Sequence, residues 1–378
     1  MKTLKEKVAK GNASISLFAS VCIDVKPLID ETLPDAEQVV RARFSASAID
    51  ILRMEMRNPM RKVCAEAGDI AYDNGRPVCF QACILRRLYL NREEIVGKVG
   101  GMTCIREDAD VSALIDVRTA ACQVRAGSRM GFGNSQNRES ARIAHRAKNT
   151  VEGPESCTRY LWRAVRPLEC LVYFVRRKLL KAEVPNRKDF STLDSAGFET
   201  KCDGLTIRRI MEVKPDFYDV LMKRYLETNN GLVCSRTAEE IEWIFGERIR
   251  RGETVVLGAF DAHGPLGYIL MSGGKPAKRW QIHDWFAVDN DRRTLESLLK
   301  TGCAFLKRKT PAMMLEVCGF PSGVQDLLKS HLPHVRQIGH NTFSCGSREP
   351  GLREQFRKMA AGESPCWFFG PYDGDICF

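Results

Sequence analysis

The sequence predicts an α/β protein of two consecutive domains, each a mixed, mostly antiparallel sheet flanked by helices. The chain has 378 residues, more than the roughly 150 that one domain usually holds. In each half a β-hairpin precedes a strand, a helix and another strand, which is an antiparallel meander continuing into a parallel βαβ unit. A polar stretch separates the halves, so we expect domains at 1–180 and 201–378 and a linker at 181–200.

Composition and charge are those of a globular protein with an anionic partner. Hydrophobic residues make up 44% of the chain and charged residues 28%, which suffices for packed cores. The formal net charge of +11 suits nucleic acid, because clustered Lys and Arg neutralise phosphates. Acids are interleaved with these cations, however, and RNA-binding signatures and paired Cys/His fingers are lacking, so nucleic acid is disfavoured. A basic protein that binds coenzyme A or lies near an anionic membrane explains the same charge.

Cysteine usage and apolar run lengths indicate the compartment. The 15 cysteines are scattered through a large chain without the spacing of metal knuckles or redox motifs. We therefore expect free thiols, no metal site and a cytoplasmic location. The apolar patch at 15–22 is too short to span a bilayer.

In the first half, helices precede the sheet. The spacing of apolar residues predicts helices at 36–43 and 46–57. Asn74-Gly75 between two apolar runs is a strong hairpin signal, because a type I′ turn needs a positive φ at both central residues. The predicted strands of this half lie at 69–72, 77–80, 80–89, 94–105 and 131–134.

The stretch 94–149 carries the clearest functional pattern. An apolar strand ends in a short polar turn, and Ser112 stands at the entry of the amphipathic helix that follows. Such a turn sets the amide hydrogens of a helix N-terminus beside the end of a strand, where the helix dipole favours a phosphate. The pattern indicates a nucleotide or coenzyme A site, and an ordinary strand-to-helix turn is the alternative.

The turn resembles the pyrophosphate loop of the GNAT acyltransferase superfamily. That loop has six residues, with Gln or Arg first, Gly fourth and Gly or Ala sixth. Here the three places hold Arg106, Ala109 and Val111. Two of the three therefore lack the small, flexible residue that lets backbone amides approach phosphates closely.

The second step of the stretch extends the resemblance. In the family, a strand leads to an Asn, a small residue three places on and a Tyr seven places on that protonates the departing thiolate. Asn137 and Ser140 fit this pattern. The Tyr place falls on Ala144, with His145 beside it.

The resemblance implies transfer of an acyl group, usually acetyl, from acyl-CoA as co-substrate to a small amine-bearing acceptor. Amide hydrogens of the strand before the loop would polarise the thioester carbonyl, Arg106 would hold the pyrophosphate, and a base would deprotonate the amine. The implied coenzyme-binding residues are Met102, Thr103, Cys104, Arg106, Ala109, Val111, Ser112 and Asn137, and the implied catalytic residues are Glu94, His145 and Asp284.

The second half repeats this layout and is similar to a second GNAT domain. Its predicted elements are strands at 254–260, 265–271, 280–286 and 312–317 and helices at 215–226, 237–249, 293–307 and 323–332. The pyrophosphate loop would fall at 287–292, which has no glycine. Asp289 and Asp291 there would repel phosphate, and Arg292 would offset them.

Two further stretches stand out. Residues 161–180 have a basic amphipathic pattern with Glu169 as the single acid. This pattern predicts a helix whose apolar face packs on the domain, and contact with a membrane surface is the alternative. The aromatic tail at 366–375 resembles the ending of some bacterial tandem GNAT-like proteins, and we expect it to add a strand at a sheet edge.

Three functions of different classes follow from these observations. An acyl-CoA-dependent N-acyltransferase is favoured. A catalytically degenerate GNAT-fold binding or interaction protein is the alternative, and Ala109, Val111 and Ala144 support it. A nucleic-acid-binding protein is the third. The acceptor, the acyl length and the oligomeric state stay open at this stage.

Overall fold

Two large sheets organise the described part of the chain, which in this computed structural model is residues 23–43, 46–109, 113, 127–135, 150–152, 159–179, 181, 197–273, 279–318, 322–337, 342–361, 367–368 and 370–373. The strands are β1 (Ile23–Pro27), β2 (Gly68–Asp73), β3 (Arg76–Leu90), β4 (Glu93–Ile105), β5 (Met130–Ser135), β6 (Thr150–Glu152), β7 (Arg159–Ala164), β8 (Glu199–Cys202), β9 (Leu205–Ile210), β10 (Leu232–Cys234), β11 (Thr254–Asp261), β12 (Gly264–Gly273), β13 (Arg279–Ala287), β14 (Met314–Cys318), β15 (His334–Gln337), β16 (Thr342–Gly346) and β17 (Trp367–Phe368). The helices are α1 (Leu33–Arg41), α2 (Ala46–Glu55), α3 (Pro167–Lys178), α4 (Pro215–Thr228), α5 (Ala238–Ile241), α6 (Glu247–Arg250), α7 (Arg292–Lys309), α8 (Ser322–His331) and α9 (Pro350–Ala360).

Both sheets are mixed and mostly antiparallel, as predicted. Within the described residues, the first sheet runs β1-β2-β3-β4-β5-β16-β6, and β10 pairs with the far end of β3 and with β17. The second sheet runs β15-β7-β14-β13-β12-β11-β9-β8. The pairs β4–β5 and β13–β14 are parallel and hold the same place in their sheets. The predicted tail strand is confirmed as β17 at the edge of the first sheet.

Each sheet contains strands from both halves of the chain. In the first sheet β16, from the end of the chain, lies between β5 and β6. In the second sheet β7, from the first half, lies between β14 and β15. Each sheet therefore needs both halves of the chain to be complete. The predicted linker at 181–200 separates two stretches of sequence, but the strands do not divide there, and the domain bounds stay a prediction.

Local sequence signals account for some elements and fail at one. The hairpin at Asn74 and Gly75 is confirmed, with φ values of 49° and 79°. The helix predicted at 161–180 is wrong in its first part, since Arg159–Ala164 is strand β7 and α3 begins at Pro167. The start of α3 at Pro167 follows from proline, because a residue before proline is kept out of the helical region, while proline itself suits the first helical turn.

Helices cover the first sheet on one face near its outer edge. Side chains of α1 and α2, among them Val39 and Leu52, pack with Phe80 and Cys104 of β3 and β4 in one apolar cluster. A separate small cluster of Ala71, Val78, Cys79 and Ala113 lies elsewhere on the same strands. A larger core joins the inner part of β3 to the second sheet. None of the described helices is long and apolar enough to cross a membrane.

Candidate functional site

The first candidate site is a cleft where two parallel strands separate. The ladder between β4 and β5 consists of Gly97–Met130, Lys98–Gly131 and Val99–Phe132. Beyond it β4 continues to Ile105 and β5 to Ser135, without a described pair between them. From Gly100 to Ile105 the edge of β4 that faces β5 therefore has no strand partner among the described residues, and its backbone amide and carbonyl groups are candidates for binding a ligand.

A β-bulge in β4 lies at the mouth of this cleft. Gln81 of β3 pairs with Thr103, and Cys83 pairs with Gly100. One residue of β3 thus faces two of β4, Gly101 and Met102, and such an extra residue bends the strand and turns its groups. A Cβ atom on Gly101 would come within 3.0 Å of both the Glu55 Oε1 and the Ala82 Cβ atoms. A side chain at this position would therefore crowd both of those side chains.

The arginines at the loop after β4 form ion pairs with two carboxylates of that loop. The Arg106 Nε atom lies 3.1 Å from Asp108 Oδ1, and Arg76 Nη2 lies 2.5 Å from Asp108 Oδ2. The two arginines together lower the pKa of Asp108 to about 2. Glu107 is paired in the same way with Arg43, at 3.1 Å. An incoming phosphate would have to take the place of the Asp108 carboxylate on Arg106 and Arg76.

The second sheet contains an equivalent cleft. β13 pairs with β14 from Arg279–Met314 to Ile282–Val317, and then continues to Ala287. A bulge stands here too, because β12 pairs Leu270 with Asp284 and Met271 with Ile282, which leaves His283 as the extra residue. The backbone of both halves therefore follows one design.

A buried ion cluster fills the space beside β13. The Arg236 Nε and Nη2 atoms donate to the two carboxylate oxygens of Asp284, at 2.8 and 3.1 Å. Arg236 Nη2 also donates to Asp373 Oδ2 at 3.1 Å, and the Tyr268 hydroxyl donates to Asp284. Arg236, Asp284 and Asp373 are each at most 1% exposed. Burial raises the pKa of Asp373, although Arg236 opposes that shift.

The chain's tail completes this cluster. The Gly370 amide donates to Asp373 Oδ2 at 2.6 Å, and the Tyr372 hydroxyl donates to the Ser235 carbonyl at 2.9 Å. The guanidinium carbons of Arg236 and of buried Arg86 lie 4.7 and 4.8 Å from the centre of the Tyr372 ring. These cation–π contacts, with Arg86 coming from β3, tie the tail and the first sheet to the second cleft.

The helix N-terminus of the second cleft already binds a carboxylate. Asp291 caps α7, and its side chain accepts hydrogen bonds from the amides of Arg293 and Thr294, at 3.3 and 3.0 Å. The Thr294 hydroxyl donates to the same carboxylate at 2.5 Å. These are the groups a phosphate would use at a helix N-terminus. In the second loop, the amide donors of the helix N-terminus are therefore already hydrogen-bonded to Asp291.

Comparisons with known proteins place this architecture. No protein-family model and no curated protein matches the sequence. A GCN5-related N-acetyltransferase from Anabaena variabilis is similar in structure over 85% of this chain and 72% of that one, with a TM-score of 0.52 and 11% identity. The N-myristoyltransferase of Saccharomyces cerevisiae, solved with bound myristoyl-CoA, is similar over 89% and 81%, with a TM-score of 0.51 and 14% identity.

The chain has the GNAT fold. A GCN5-related N-acetyltransferase from Kribbella flavida is similar over 90% of this chain and 72% of that one, with a TM-score of 0.50 and 11% identity. At such identities the likeness concerns the course of the backbone, so the side chains must be judged one by one.

The GNAT fold brings several predicted coenzyme-binding residues to the first cleft. Met102, Thr103 and Cys104 lie on the separated part of β4, and Arg106 follows them. Cys104 is buried against α1, where its thiol donates to the Val39 carbonyl at 3.6 Å. Burial raises the pKa of that thiol to about 11. Only the backbone of Cys104 is thus presented to the cleft.

Ala109 is less of an obstacle than its departure from the family pattern suggests. Its side chain packs against the small cluster of Ala71, Val78, Cys79 and Ala113. The methyl group is therefore directed toward the protein, and the Ala109 amide donates to the Arg106 carbonyl within the loop, at 3.2 Å. The predicted site residues Val111, Ser112, Asn137 and His145 lie outside the described residues.

The two remaining predicted catalytic residues lie in unfavourable places. Glu94 lies eight residues before Met102 on one strand, roughly 26 Å away at 3.3 Å per residue. Its carboxylate lies 3.3 Å from the Arg87 Nε atom. Asp284 is fully buried and holds Arg236 with both oxygens. Their roles as bases stay predictions, and this geometry favours neither.

Glu55 is a candidate that the sequence analysis missed. It ends α2, is 3% exposed, and directs its Oε1 atom at the bulge glycine Gly101. A signal was present, because Ala48, Leu52 and Glu55 share one helical face and both apolar residues are buried. Burying a carboxylate costs free energy, so an acid on the buried face of an amphipathic helix indicates a specific interaction or function for that side chain.

Proposed function

We propose that this protein is an acyl-CoA-dependent N-acyltransferase whose coenzyme site is the first cleft. The observation that carries the proposal is the separation of β4 from β5 beside the bulge at Gly101 and Met102. The fold supports it, because two similar structures are named N-acetyltransferases and a third holds myristoyl-CoA. Acetyl is the acyl group we favour, with an amine as acceptor.

The first cleft offers groups for each part of an acyl-CoA. Amides of β4 at Met102–Cys104 would donate to the thioester carbonyl, and stabilising the developing negative charge there is usually the largest single contribution to catalysis. Arg106 and Arg76 can bind the pyrophosphate once Asp108 is displaced. The inward packing of Ala109 supports this assignment, since its methyl group is directed toward the small cluster.

Glu55 is the base that the geometry favours. In the reaction, the amine nitrogen attacks the thioester carbon, a C–N bond forms and the C–S bond breaks with its electron pair leaving on sulfur. The proton lost by the amine passes to the Glu55 carboxylate, and the thiolate takes a proton from solvent. Glu55 suits this task because it approaches the bulge where the thioester would lie.

Binding of acetyl-CoA by titration calorimetry tests the coenzyme assignment. We expect binding by the unmodified protein, with affinity that depends on the first cleft. The absence of heat at millimolar acetyl-CoA and at millimolar long-chain acyl-CoA would overturn the proposal.

Thiol release from acetyl-CoA in the presence of a panel of amines tests the assignment of Glu55. We expect Glu55→Gln to slow release by at least about 100-fold while leaving the dissociation constant of acetyl-CoA unchanged. Asp50→Asn, an exposed position on the same helix, is the matched control and should leave the rate unchanged. Equal rates for both variants would exclude Glu55 as the base.

One observation favours a second candidate, a GNAT-fold binding protein without catalysis. Asp108 already satisfies Arg106 and Arg76, so the loop is complete without a phosphate. This candidate predicts that acetyl-CoA does not bind and that removing the Asp108 charge does not restore binding.

A further inference from the structure

Helix α3 carries exposed apolar side chains that the proposed function does not use. Six such side chains are exposed in this segment; Phe174 is one, and the other five recur at the positions i, i+3, i+4, i+7 and i+11, which form one stripe along a helix. The members of this stripe are Leu168, Leu171, Val172, Val175 and Leu179. Leu168 is 80% exposed and Leu179 is 75% exposed. The prediction that the apolar face of this helix packs on the domain is therefore wrong for the stripe.

The helix is fixed to the body of the protein by its other side. Cys170 is buried. The Arg166 guanidinium, just before the helix, donates to the carbonyls of Lys307 and Thr310, at 2.8 Å each. These bonds hold the start of α3 against the end of α7. The stripe is thus held at the surface by contacts on the opposite side.

The surroundings of the stripe are basic. Between residues 159 and 181 the chain has one acid, Glu169, and Arg166 neutralises it at 3.0 Å. The cations in this stretch are Arg159, Arg163, Arg166, Arg176, Arg177, Lys178 and Lys181. The last turn of α7, to which α3 is fixed, adds exposed Lys307 and Arg308. An apolar stripe flanked by cations complements a surface that is apolar beneath and anionic on top.

We propose that α3 binds the surface of an anionic lipid bilayer, with the stripe among the acyl chains and the cations at the headgroups. Such a helix lies in the plane of the interface, where apolar burial and attraction to anionic lipid add. At 12 residues α3 is too short to cross. A second copy of this chain is the less favoured occupant, because it would bring an equal net charge of +11 against the same cations.

Sedimentation with vesicles tests the proposal on the full chain. We expect the protein to sediment with vesicles of phosphatidylcholine and phosphatidylserine in equal parts, and to sediment far less with phosphatidylcholine alone. Leu168→Ser combined with Leu179→Ser should weaken binding at least about tenfold, since two large apolar side chains leave the acyl layer. Both positions are exposed, so the fold is preserved.

Val63→Ser combined with Val220→Ser is the matched control, since both valines are exposed and neither belongs to α3. It should bind as the unmodified protein does. Lys307→Ser combined with Arg308→Ser should weaken binding to the anionic vesicles and flatten its dependence on salt.

Three outcomes would overturn the proposal. The first is no sedimentation with anionic vesicles, and the second is an equal loss of vesicle binding in the stripe and control variants. The third is a dimer in analytical ultracentrifugation that becomes a monomer in the stripe variant. The vesicle measurement needs no acyl-CoA, so its result is independent of the proposed function.

Discussion

In the first sheet β4 leaves β5 after Val99, and in the second β13 leaves β14 after Ile282, each beside a one-residue bulge. The side chains at these two clefts differ. The first holds a loop whose arginines are paired at the surface with Asp108. The second is closed by Arg236 and its buried carboxylates. The same backbone arrangement therefore carries exposed ion pairs in one half of the chain and a buried ion cluster in the other.

The largest expected difference between the clefts is in stability. Arg236→Met leaves Asp284 and Asp373 buried without their cation, so it should lower the free energy of unfolding by about 3–5 kcal/mol. Urea denaturation measures this change. Arg250→Met is the control, because Arg250 forms an exposed pair with Glu242 that is worth about 0–1 kcal/mol.

A small effect of Arg236→Met would show that the cluster does not hold the second cleft. The double variant Arg236→Met with Asp284→Asn sharpens the test. It removes the Asp284 charge, which Arg236→Met alone leaves buried without a cation. It should recover part of the lost stability, and a further loss of the same size would contradict the assigned pairing.

The second expected difference is in acid sensitivity. His283, the bulge residue of the second cleft, is 5% exposed, and burial with help from the Arg248 charge lowers its pKa to about 3. The unfolded chain protonates this histidine below about pH 6.5, whereas the folded chain does not. His283 should therefore reduce the free energy of unfolding by about 1.4 kcal/mol per pH unit as pH falls from 6.5 toward 3.

Urea denaturation at several pH values checks this expectation. His283→Gln should lack this part of the acid dependence. His263→Gln, an exposed histidine in the hairpin turn, should keep the dependence of the unmodified protein. Parallel curves for the unmodified protein and His283→Gln would show that the bulge histidine is not held neutral.

Local patterns predicted the framework of both clefts, and distant pairings were beyond them. The Asn74-Gly75 turn and strands β4 and β13 depend on residues close in sequence, so propensity and periodicity suffice. The pairings of β7 and β16 join segments far apart in the chain, and no local signal encodes them. Arg236 and Asp373 are 137 positions apart in the chain, and no local sequence pattern indicates their pairing either.

The same contrast between local patterns and distant contacts applies to the candidate site residues. The charge of Asp291 predicts repulsion of phosphate, and its place before Arg292 also fits an N-cap, which is the role observed. Ala109 was judged by residue type, whereas the direction of its methyl group decides its effect. Helical periodicity assigns Glu55 to the buried face of its helix. It does not show which strand residues that face contacts, so the approach of Glu55 to Gly101 could not be predicted.

The third difference is in coenzyme affinity. Arg106→Ala in the first loop should weaken acetyl-CoA binding by at least about tenfold, because a charge-assisted hydrogen bond to the pyrophosphate is lost. Arg292→Ala in the second loop is the counterpart, and we expect no change, since Asp291 already fills that helix N-terminus. Calorimetric titration of both variants measures the contrast. A larger loss in Arg292→Ala would reverse the assignment of the two clefts.

The smallest expected effect is a gain. Asp108→Asn keeps the shape of the side chain and removes the charge that competes for Arg106 and Arg76, so acetyl-CoA should bind severalfold tighter. Glu107→Gln removes a neighbouring charge that pairs with Arg43 instead, and it should change the affinity less. The gain should shrink as salt rises, because the competing pair is exposed and screened. Unchanged affinity in Asp108→Asn would mean that the two arginines do not face the pyrophosphate, and the first cleft would then differ from the second in shape alone.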